Sequence, residues 1–384
     1  MKYSAYCFAF CLILACSGPK TGEDGASPSL NITMDTVLIN PGQEILYLNS
    51  RLRLSALSDD KKYLYNVNPQ EYLIEQIDLN NLAFKKIHRF EKEGPNGIGQ
   101  YFFRFSLIDE DRLFFSTYEH EGIFNWEGKK LKTFNITELG KGQGQLVDED
   151  RPFKTINRTP GGNQFVSLIS NFQEKSNSLA LIDLDQSTFI KLAIPAIEKA
   201  QKFQIILREG QGSAATGLDR YLLKEGDKIL VGTEASSELY VMEMESDSLK
   251  HITFKSQLTP NEKTGEYPSE VSDRTQFRNY LIKIKEEINF MAPVWDEEKQ
   301  VYYRFSYQMT YDESKVTDEN QFFPQPSGAI VYLSVLDKEL NLITEGKVPE
   351  LSKSPPFHFA KDGKLWLFEN VEDEMGFVRL DIKW

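Results

Sequence analysis

A polar turn followed by a short apolar strand recurs along the chain, and this repeat limits the possible folds more than any other feature. Each copy has a polar turn of Asp, Glu, Gly or Asn and continues into aromatic and β-branched residues, which favour strands. A partner strand follows after a short gap. Six copies lie at 58–67, 109–118, 161–170, 225–234, 296–305 and 361–370, with partner strands at 73–79, 121–128, 178–185, 238–245, 329–337 and 376–383. The sequence therefore predicts an all-β chain built from a repeated unit.

The two ends of this repeat predict how it closes. A further strand follows the partner strand in the first five copies, at 85–90, 130–136, 189–194, 249–254 and 339–344, but the sixth copy has none. A spare apolar segment, 31–39, precedes the first copy. In a ring of four-stranded blades the N-terminal strand commonly completes the last blade. We therefore predict that 31–384 form a single six-bladed β-propeller closed in this way; the alternative is a β-sandwich or two smaller β domains.

The segments between the copies predict joints and insertions. Gly94 and Gly99 have the spacing of a phosphate-binding loop, but Gln100 and Tyr101 stand where that loop needs Lys and Ser or Thr. Together with the glycine-rich stretches 139–146 and 208–217, this segment is predicted to turn the chain from one blade into the next. Amphipathic periodicity predicts helical insertions at 194–206 and 275–288.

The N-terminus has the pattern of an export signal. Lys2 precedes an apolar run that ends at Ala15 and is too short to span a bilayer. The sequence LACSG resembles the lipobox of bacterial lipoproteins, which implies cleavage after residue 15 and lipidation of Cys16. An ordinary cleaved signal with an incidental cysteine is the alternative. The stretch 16–30 is rich in Gly, Ser and Pro and is interpreted as a flexible tether to the membrane.

Cysteine content and charge exclude several classes of chemistry. The three cysteines, Cys7, Cys11 and Cys16, all lie at the N-terminus, so the body of the chain has no disulfide, thiolate metal ligand or thiol nucleophile. The net charge is −13, and loss of Lys2 with the signal makes it −14. Nucleic acid is therefore not expected as a partner, and the acyl chains alone are expected to hold the protein at the membrane.

The lipobox, the tether and about six blades joined by an E-G-P-x-G connection resemble the six-bladed β-propeller lipoproteins of Bacteroidetes. More narrowly, the chain is similar to one of their families described as a domain of unknown function. The resemblance implies a propeller fold across the mature chain and a place in the cell envelope, with Ser17 compatible with the outer membrane. It implies no catalytic residue.

Four arginines form the candidate binding site. Arg53, Arg104 and Arg220 lie nine or ten residues before the aromatic strands, and Arg158 lies somewhat closer. In a propeller these positions fall near the innermost strands, so the side chains are predicted to face one axial cavity and bind an anionic or sugar ligand. The alternative is that each pairs with Asp or Glu of a neighbouring blade.

No catalytic or metal-binding pattern accompanies these arginines. The four histidines are isolated in sequence, the acidic triplets 109–111 and 148–150 lack calcium-loop spacing, and 210–214 lacks a nucleophile elbow. The favoured hypothesis is a monomeric envelope lipoprotein with a binding or scaffolding module, no cofactor, and an envelope protein or glycan as partner. A propeller hydrolase or lyase acting on glycans or lactones is the alternative.

Overall fold

The computed structural model describes residues 30–117, 120–159, 161–171, 173–209, 212–244, 246–312 and 323–384. The predicted signal peptide 1–15, the lipidation site Cys16 and all but the last residue of the tether 16–30 lie outside this range. In the described part, no helix is both long and apolar enough to cross a membrane.

The described chain is all-β and is organised mainly as antiparallel four-stranded sheets. The N-terminal strand β1 is Asn31–Leu38. Sheet 1 contains β2 Ala56–Leu57, β3 Tyr63–Asn68, β4 Leu73–Asp78 and β5 Ala83–Arg89. Sheet 2 contains β6 Phe102–Leu107, β7 Arg112–Thr117, β8 Glu121–Asn125 and β9 Lys130–Phe134. Sheet 3 contains β10 Asp150–Asn157, β11 Gln164–Asn171, β12 Ser176–Asp183 and β13 Thr188–Ala193.

The later sheets follow the same order, with one addition between sheets 3 and 4. The added sheet contains β14 Ile205–Glu209, β15 Gly212–Thr216 and β20 Glu270–Val271. Sheet 4 contains β16 Arg220–Glu225, β17 Lys228–Thr233, β18 Ser236–Glu243 and β19 Leu249–Ile252. In sheet 5 two short strands, β21 Asn289–Phe290 and β22 Val294–Asp296, share the partner β23 Val301–Thr310, followed by β24 Gly328–Leu336 and β25 Leu342–Lys347. Sheet 6 contains β26 His358–Lys361, β27 Lys364–Val371, β28 Glu374–Lys383 and β1.

These strands confirm the predicted repeat. The six turn-and-strand copies are the second strands of the six sheets, and the six partner strands are the third. The pairing predicted for the N-terminal segment is also present, since β1 runs antiparallel to β28 from the pair Asn31 and Lys383 to the pair Leu38 and Gly376. Sheet 6 is thus built from both ends of the described chain.

Carboxylates close many of the turns. Asp78, Asp109, Asp183 and Asp296 each accept hydrogen bonds from two backbone N–H groups two or three residues ahead, at 2.9–3.1 Å. This contact satisfies donors that the strand ladder leaves free at the bend. The acidic triplet 109–111 is therefore a turn, as the sequence predicted.

Buried apolar clusters join the sheets to one another. Each pair of consecutive sheets from 1 to 6 shares one cluster, and sheet 6 shares another with sheet 1. In this last cluster Phe359 and Phe377 pack with Leu64 and Ile77, all at most 2% exposed. Full burial of such a side chain contributes roughly 1.5–3 kcal/mol, so these clusters hold the sheets together.

Helices occur between the sheets. A 3₁₀ helix, Pro195–Phe203, and helix α2, Arg274–Glu286, lie in the predicted insertions. They share an apolar cluster with the added sheet, to which Phe203, Leu207 and Phe277 contribute. A short helix α1, Ile136–Gly142, was not predicted; Asn135 caps it by accepting a hydrogen bond from the Glu138 N–H at 2.9 Å.

The glycine-rich joints have two forms. Gly94 and Gly99, between β5 and β6, have φ of +91° and +113°, a conformation that glycine adopts without steric cost. This segment leads directly into β6, as predicted. The stretch 208–217 differs from the prediction, because it contributes to the β14–β15 hairpin of the added sheet rather than forming a simple joint.

Candidate anion-binding site

Three basic side chains meet at the first strands of sheets 2, 3 and 4. Arg104 lies on β6, Lys154 on β10 and Arg220 on β16, and these strands contact one another in that order. We call these three residues the cationic cluster. It includes two of the four arginines chosen from the sequence, together with a lysine that the sequence did not indicate.

Irregular strand pairing positions two members of the cluster. On β10 the register shifts between Pro152 and Lys154, and on β6 it shifts between Phe102 and Arg104. Each basic residue therefore directly follows a β-bulge. Pro152 has no N–H for the ladder, so pairing is easily interrupted there. Bulges redirect side chains and are over-represented near active sites.

Phe153 lies at the centre of the cluster. The Arg104 Nη2 donates to the Phe153 carbonyl at 3.4 Å, and the Arg220 guanidinium lies 4.6 Å from the centre of the Phe153 ring. A cation above an aromatic face is stabilised by the ring quadrupole. The backbone and ring of one residue thus hold both arginines beside Lys154.

The positive charge is only partly balanced. Lys154 Nζ lies 3.0 and 3.1 Å from the two carboxylate oxygens of Asp219, and its side chain is 18% exposed. Burial lowers the pKa of Lys154, of Arg104 and of Arg220, and Asp219 opposes this fall in each case. The two arginines lower the pKa of Lys154 further by repulsion. Three partly buried cations therefore share one carboxylate, that of the 66% exposed Asp219, in the described part of the site.

Several buried donors of the site have no hydrogen-bond partner among the described residues. They are the Nε atoms of Arg104 and Arg220 and the Nδ2 atom of Asn177. The Arg220 Nη1, by contrast, donates to Asn177 Oδ1 at 2.8 Å and approaches Ser170 Oγ at 3.5 Å. An unsatisfied buried donor costs about 1–3 kcal/mol. An anion that accepted these hydrogen bonds would remove that cost.

A pocket of about 240 Å³ adjoins Arg220. Its polar wall is formed by side chains that both donate and accept hydrogen bonds, namely Ser170, Gln201, Gln204 and Thr216. Gln201 belongs to the 3₁₀ helix and Thr216 to β15, so the insertion between sheets 3 and 4 supplies most of this wall.

The other two predicted arginines lie apart from the cationic cluster. Arg158 follows the end of β10; its Nη1 lies 2.5 Å from Asp247, and its Nε donates to the Met244 carbonyl at 2.9 Å. This arrangement is the inter-sheet ion pair that the sequence left open as the alternative. Arg53 precedes β2 and is exposed.

A second, acidic pocket lies at the opposite ends of the first strands. It has a volume of about 690 Å³ and is lined by residues of sheets 1, 4, 5 and 6, so we call it the four-sheet pocket. Its ionisable lining residues are Asp59, Asp60, Lys61, Lys224, Glu225, Glu297, Glu298, His358, Lys361 and Asp362. Burial raises the pKa of Glu225, whose Oε2 accepts a hydrogen bond from the Trp295 N–H at 2.9 Å. The pocket therefore contains a carboxyl that favours its protonated form.

No group of three or more His, Cys, Asp or Glu side chains among the described residues has the arrangement of a metal site.

The fold and the site define an all-β protein of repeated four-stranded antiparallel sheets, with a partly buried basic cluster on three neighbouring first strands. The chain belongs to the family described as Domain of unknown function (DUF4221), whose model matches residues 29–347. This confirms the family predicted from the sequence.

The chain is also similar to several solved structures. A member of the DUF4221 family from Bacteroides vulgatus has a TM-score of 0.65 and 16% identity, covering 92% of this chain and 99% of that one. A putative exported protein from Bacteroides fragilis has a TM-score of 0.50 and 9% identity, covering 92% and 96%. The β-propeller domain of Cps50 (Swd1) from Myceliophteria thermophila has a TM-score of 0.41 and 9% identity, covering 84% and 82%. A comparison with curated proteins gives no significant match.

Proposed function

We propose that this protein is a binding module of the cell envelope that takes an anionic ligand at the cationic cluster. The observation that carries this function is the imbalance of charge: Arg104, Lys154 and Arg220 lie together, each partly buried, and the carboxylate that they share, that of Asp219, is 66% exposed. In a chain of net charge −13, such a concentration of partly buried positive charge costs free energy unless an anion compensates it.

The binding module is a closed six-bladed β-propeller in this proposal, with sheets 1 to 6 as its blades. Its support is the series of apolar clusters between consecutive sheets, together with the cluster shared by sheets 6 and 1. The four-sheet pocket also fits this arrangement, because one cavity bordered by sheets 1, 4, 5 and 6 is expected around a central axis. The cationic cluster then faces the axis from the remaining side.

Lipidation of Cys16 would place the module at the membrane surface, with the outer membrane as its expected location. Support comes from the lipobox-like sequence and from the exported relative of similar fold in Bacteroides fragilis. A Cys16→Ser variant is expected to lose acyl labelling and to leave the membrane fraction. Unchanged labelling and membrane retention would contradict the anchor without affecting the binding proposal.

Anion binding is tested by thermal unfolding of the purified chain with increasing sodium acetate or inorganic phosphate at constant ionic strength. A ligand that binds only the folded state at 100 times its Kd stabilises it by about 2.7 kcal/mol, so a saturable rise in Tm is expected. The double variant Arg104→Gln/Arg220→Gln should lose this rise, whereas Arg53→Gln, a matched exposed control, should keep it. Equal responses of both variants would overturn the proposal.

A hydrolase or lyase acting on glycans or lactones is the second candidate, and Glu225 is the observation that favours it. A carboxyl with a raised pKa is suited to general acid catalysis, and other carboxylates line the same pocket. We expect any such turnover to be lost in Glu225→Gln and kept in Arg53→Gln. Absence of turnover on glycan and lactone panels, or unchanged turnover in Glu225→Gln, would reject this candidate.

A further inference from the structure

We propose that the anionic ligand is a sugar acid: a single carboxylated sugar whose carboxylate binds Arg220 and whose hydroxyl groups enter the adjoining 240 Å³ pocket. This inference rests on the proposed anion-binding function and narrows it to one chemical class.

The geometry of Arg220 favours a carboxylate. Its Nη1 is already held by Asn177 Oδ1 at 2.8 Å, which fixes the plane of the guanidinium. Its Nε is buried without a partner, and so is the amide nitrogen of Asn177. A planar carboxylate can accept along the Nε edge of an arginine fork, where two parallel hydrogen bonds match its two oxygens.

The adjoining pocket is suited to hydroxyl groups rather than to further negative charge. Gln201, Gln204, Ser170 and Thr216 carry amides and hydroxyls, each able to donate and to accept. A sugar hydroxyl has the same double capacity. The ionised oxygens of a phosphate only accept hydrogen bonds and would leave most amide and hydroxyl acceptors of this wall unused.

Asp219 is a further reason to expect a sugar acid rather than a phosphate. Its carboxylate lies 3.0 Å from Lys154 Nζ, and its Oδ1 accepts a hydrogen bond from the backbone N–H of Arg220 at 2.9 Å. A carboxylate at this position can accept a hydrogen bond from a hydroxyl, but it repels the second charge of a phosphate. Three cations with two carboxylates, that of Asp219 and that of the ligand, leave the cluster with one positive charge.

Pocket size limits the ligand to about one sugar ring. A water molecule occupies about 30 Å³ of liquid, so 240 Å³ corresponds to about eight waters. The apolar part of the wall, Ala200, Ala215 and Leu218, offers a surface for the C–H groups of a ring. A long polysaccharide could place only a terminal sugar in this pocket.

The experiment is calorimetric titration of the purified chain with D-glucuronate and D-galacturonate, compared with acetate, inorganic phosphate, glucose and galactose. We expect at least one uronate to bind at least tenfold more tightly than acetate and than its neutral sugar. Gln201→Ala/Gln204→Ala should reduce uronate affinity about tenfold and leave acetate affinity within twofold. Arg220→Gln should weaken all anions, while Arg53→Gln should change none, and circular dichroism should show that every variant is folded.

The outcomes separate the two proposals. If both uronates bind no better than acetate, or if the glutamine double variant binds them unchanged, the sugar-acid inference is overturned and anion binding stands. If Arg220→Gln leaves binding of every anion unchanged, the proposed function itself fails.

Discussion

One strand, β16, connects two regions of opposite electrostatic character. Arg220 begins the strand in the cationic cluster, and Glu225 ends it at the four-sheet pocket, roughly 17 Å away at about 3.4 Å per residue. Burial lowers the pKa of Arg220 and raises the pKa of Glu225. In both places burial destabilises the charged form, because the charge has lost water without gaining enough compensation.

The two regions differ in what would relieve this cost. Glu225 can take up a proton and become neutral, whereas an arginine with a reference pKa above 12 remains charged at physiological pH. An external anion would therefore offset the charge of the cationic cluster, while solvent protons can neutralise the acidic region. This difference is the reason why we propose the cationic end as the binding site, and the following changes test it.

The largest expected effect is loss of anion binding in Arg104→Gln/Arg220→Gln. Two charge-assisted hydrogen-bonding groups are removed, each worth about 1.5–3 kcal/mol, so affinity for the tightest-binding anion should fall at least 100-fold. Calorimetric titration measures this change. If the variant kept its anion affinity within threefold of the wild type, the cationic end of β16 would not be the anion-binding site.

A smaller change, with two opposite consequences, is expected in Asp219→Asn. Removing the shared carboxylate leaves the three cations uncompensated, but Asp219 is 66% exposed, so unfolding free energy without ligand should fall by about 1 kcal/mol or less. Anion affinity should rise about tenfold, because competition for the cations is removed. Urea unfolding and titration of the same preparation measure both effects; a fall in both stability and affinity would contradict the charge argument.

At the acidic end, Glu225→Gln should stabilise the fold in a pH-dependent manner. Because the folded-state pKa is raised, the folded protein holds its proton where the unfolded chain, with a reference pKa of 4.5, has released it. In the wild type, the contribution of this bound proton to folding stability is therefore complete below pH 4.5 and is lost as pH rises through the folded-state pKa. The variant should gain about 1–2 kcal/mol in urea unfolding at pH 8 and little at pH 4; an equal gain at both values would exclude titration of Glu225 as the cause.

The smallest effect is expected for Arg158→Gln, outside both regions. Its partner Asp247 is 68% exposed, so this ion pair contributes about 1 kcal/mol or less to stability. Anion affinity should remain within twofold of the wild type. A loss comparable to that of the cationic cluster would extend the site beyond Arg104, Lys154 and Arg220.

Much of the fold could be predicted because its signals are local. Turn residues and aromatic strands repeat in order, and the pairing of β1 with β28 follows from a missing strand at one end and a spare one at the other. The added sheet was missed because β20 is only two residues long and pairs with β14 across more than 60 positions. Such a partner leaves no periodic pattern in the sequence.

The site was predicted only in part, for a related reason. Arg104 and Arg220 keep a regular spacing to the next strand, so alignment of the repeats placed them on first strands. Lys154 was missed because the prediction concerned arginines alone. The bulge before Lys154 is a tertiary feature that the sequence does not show. Arg53 does not lie on a first strand. The first strand of its sheet, β2, has only two residues and begins after Arg53.

The pairing of β1 with β28 also constrains the order of folding. The first described strand, β1, can pair only after the last one, β28, is available. The contact that completes sheet 6 therefore has nearly the greatest sequence separation that the chain allows. Loop-closure entropy makes such contacts slow to form. Until then β1 is an unpaired edge, and Asp35 in its middle, which later pairs with Lys364 and Arg379, supplies the charge that discourages association with other chains. Synthesis thus leaves the N-terminal strand exposed to misassembly until β28 is available.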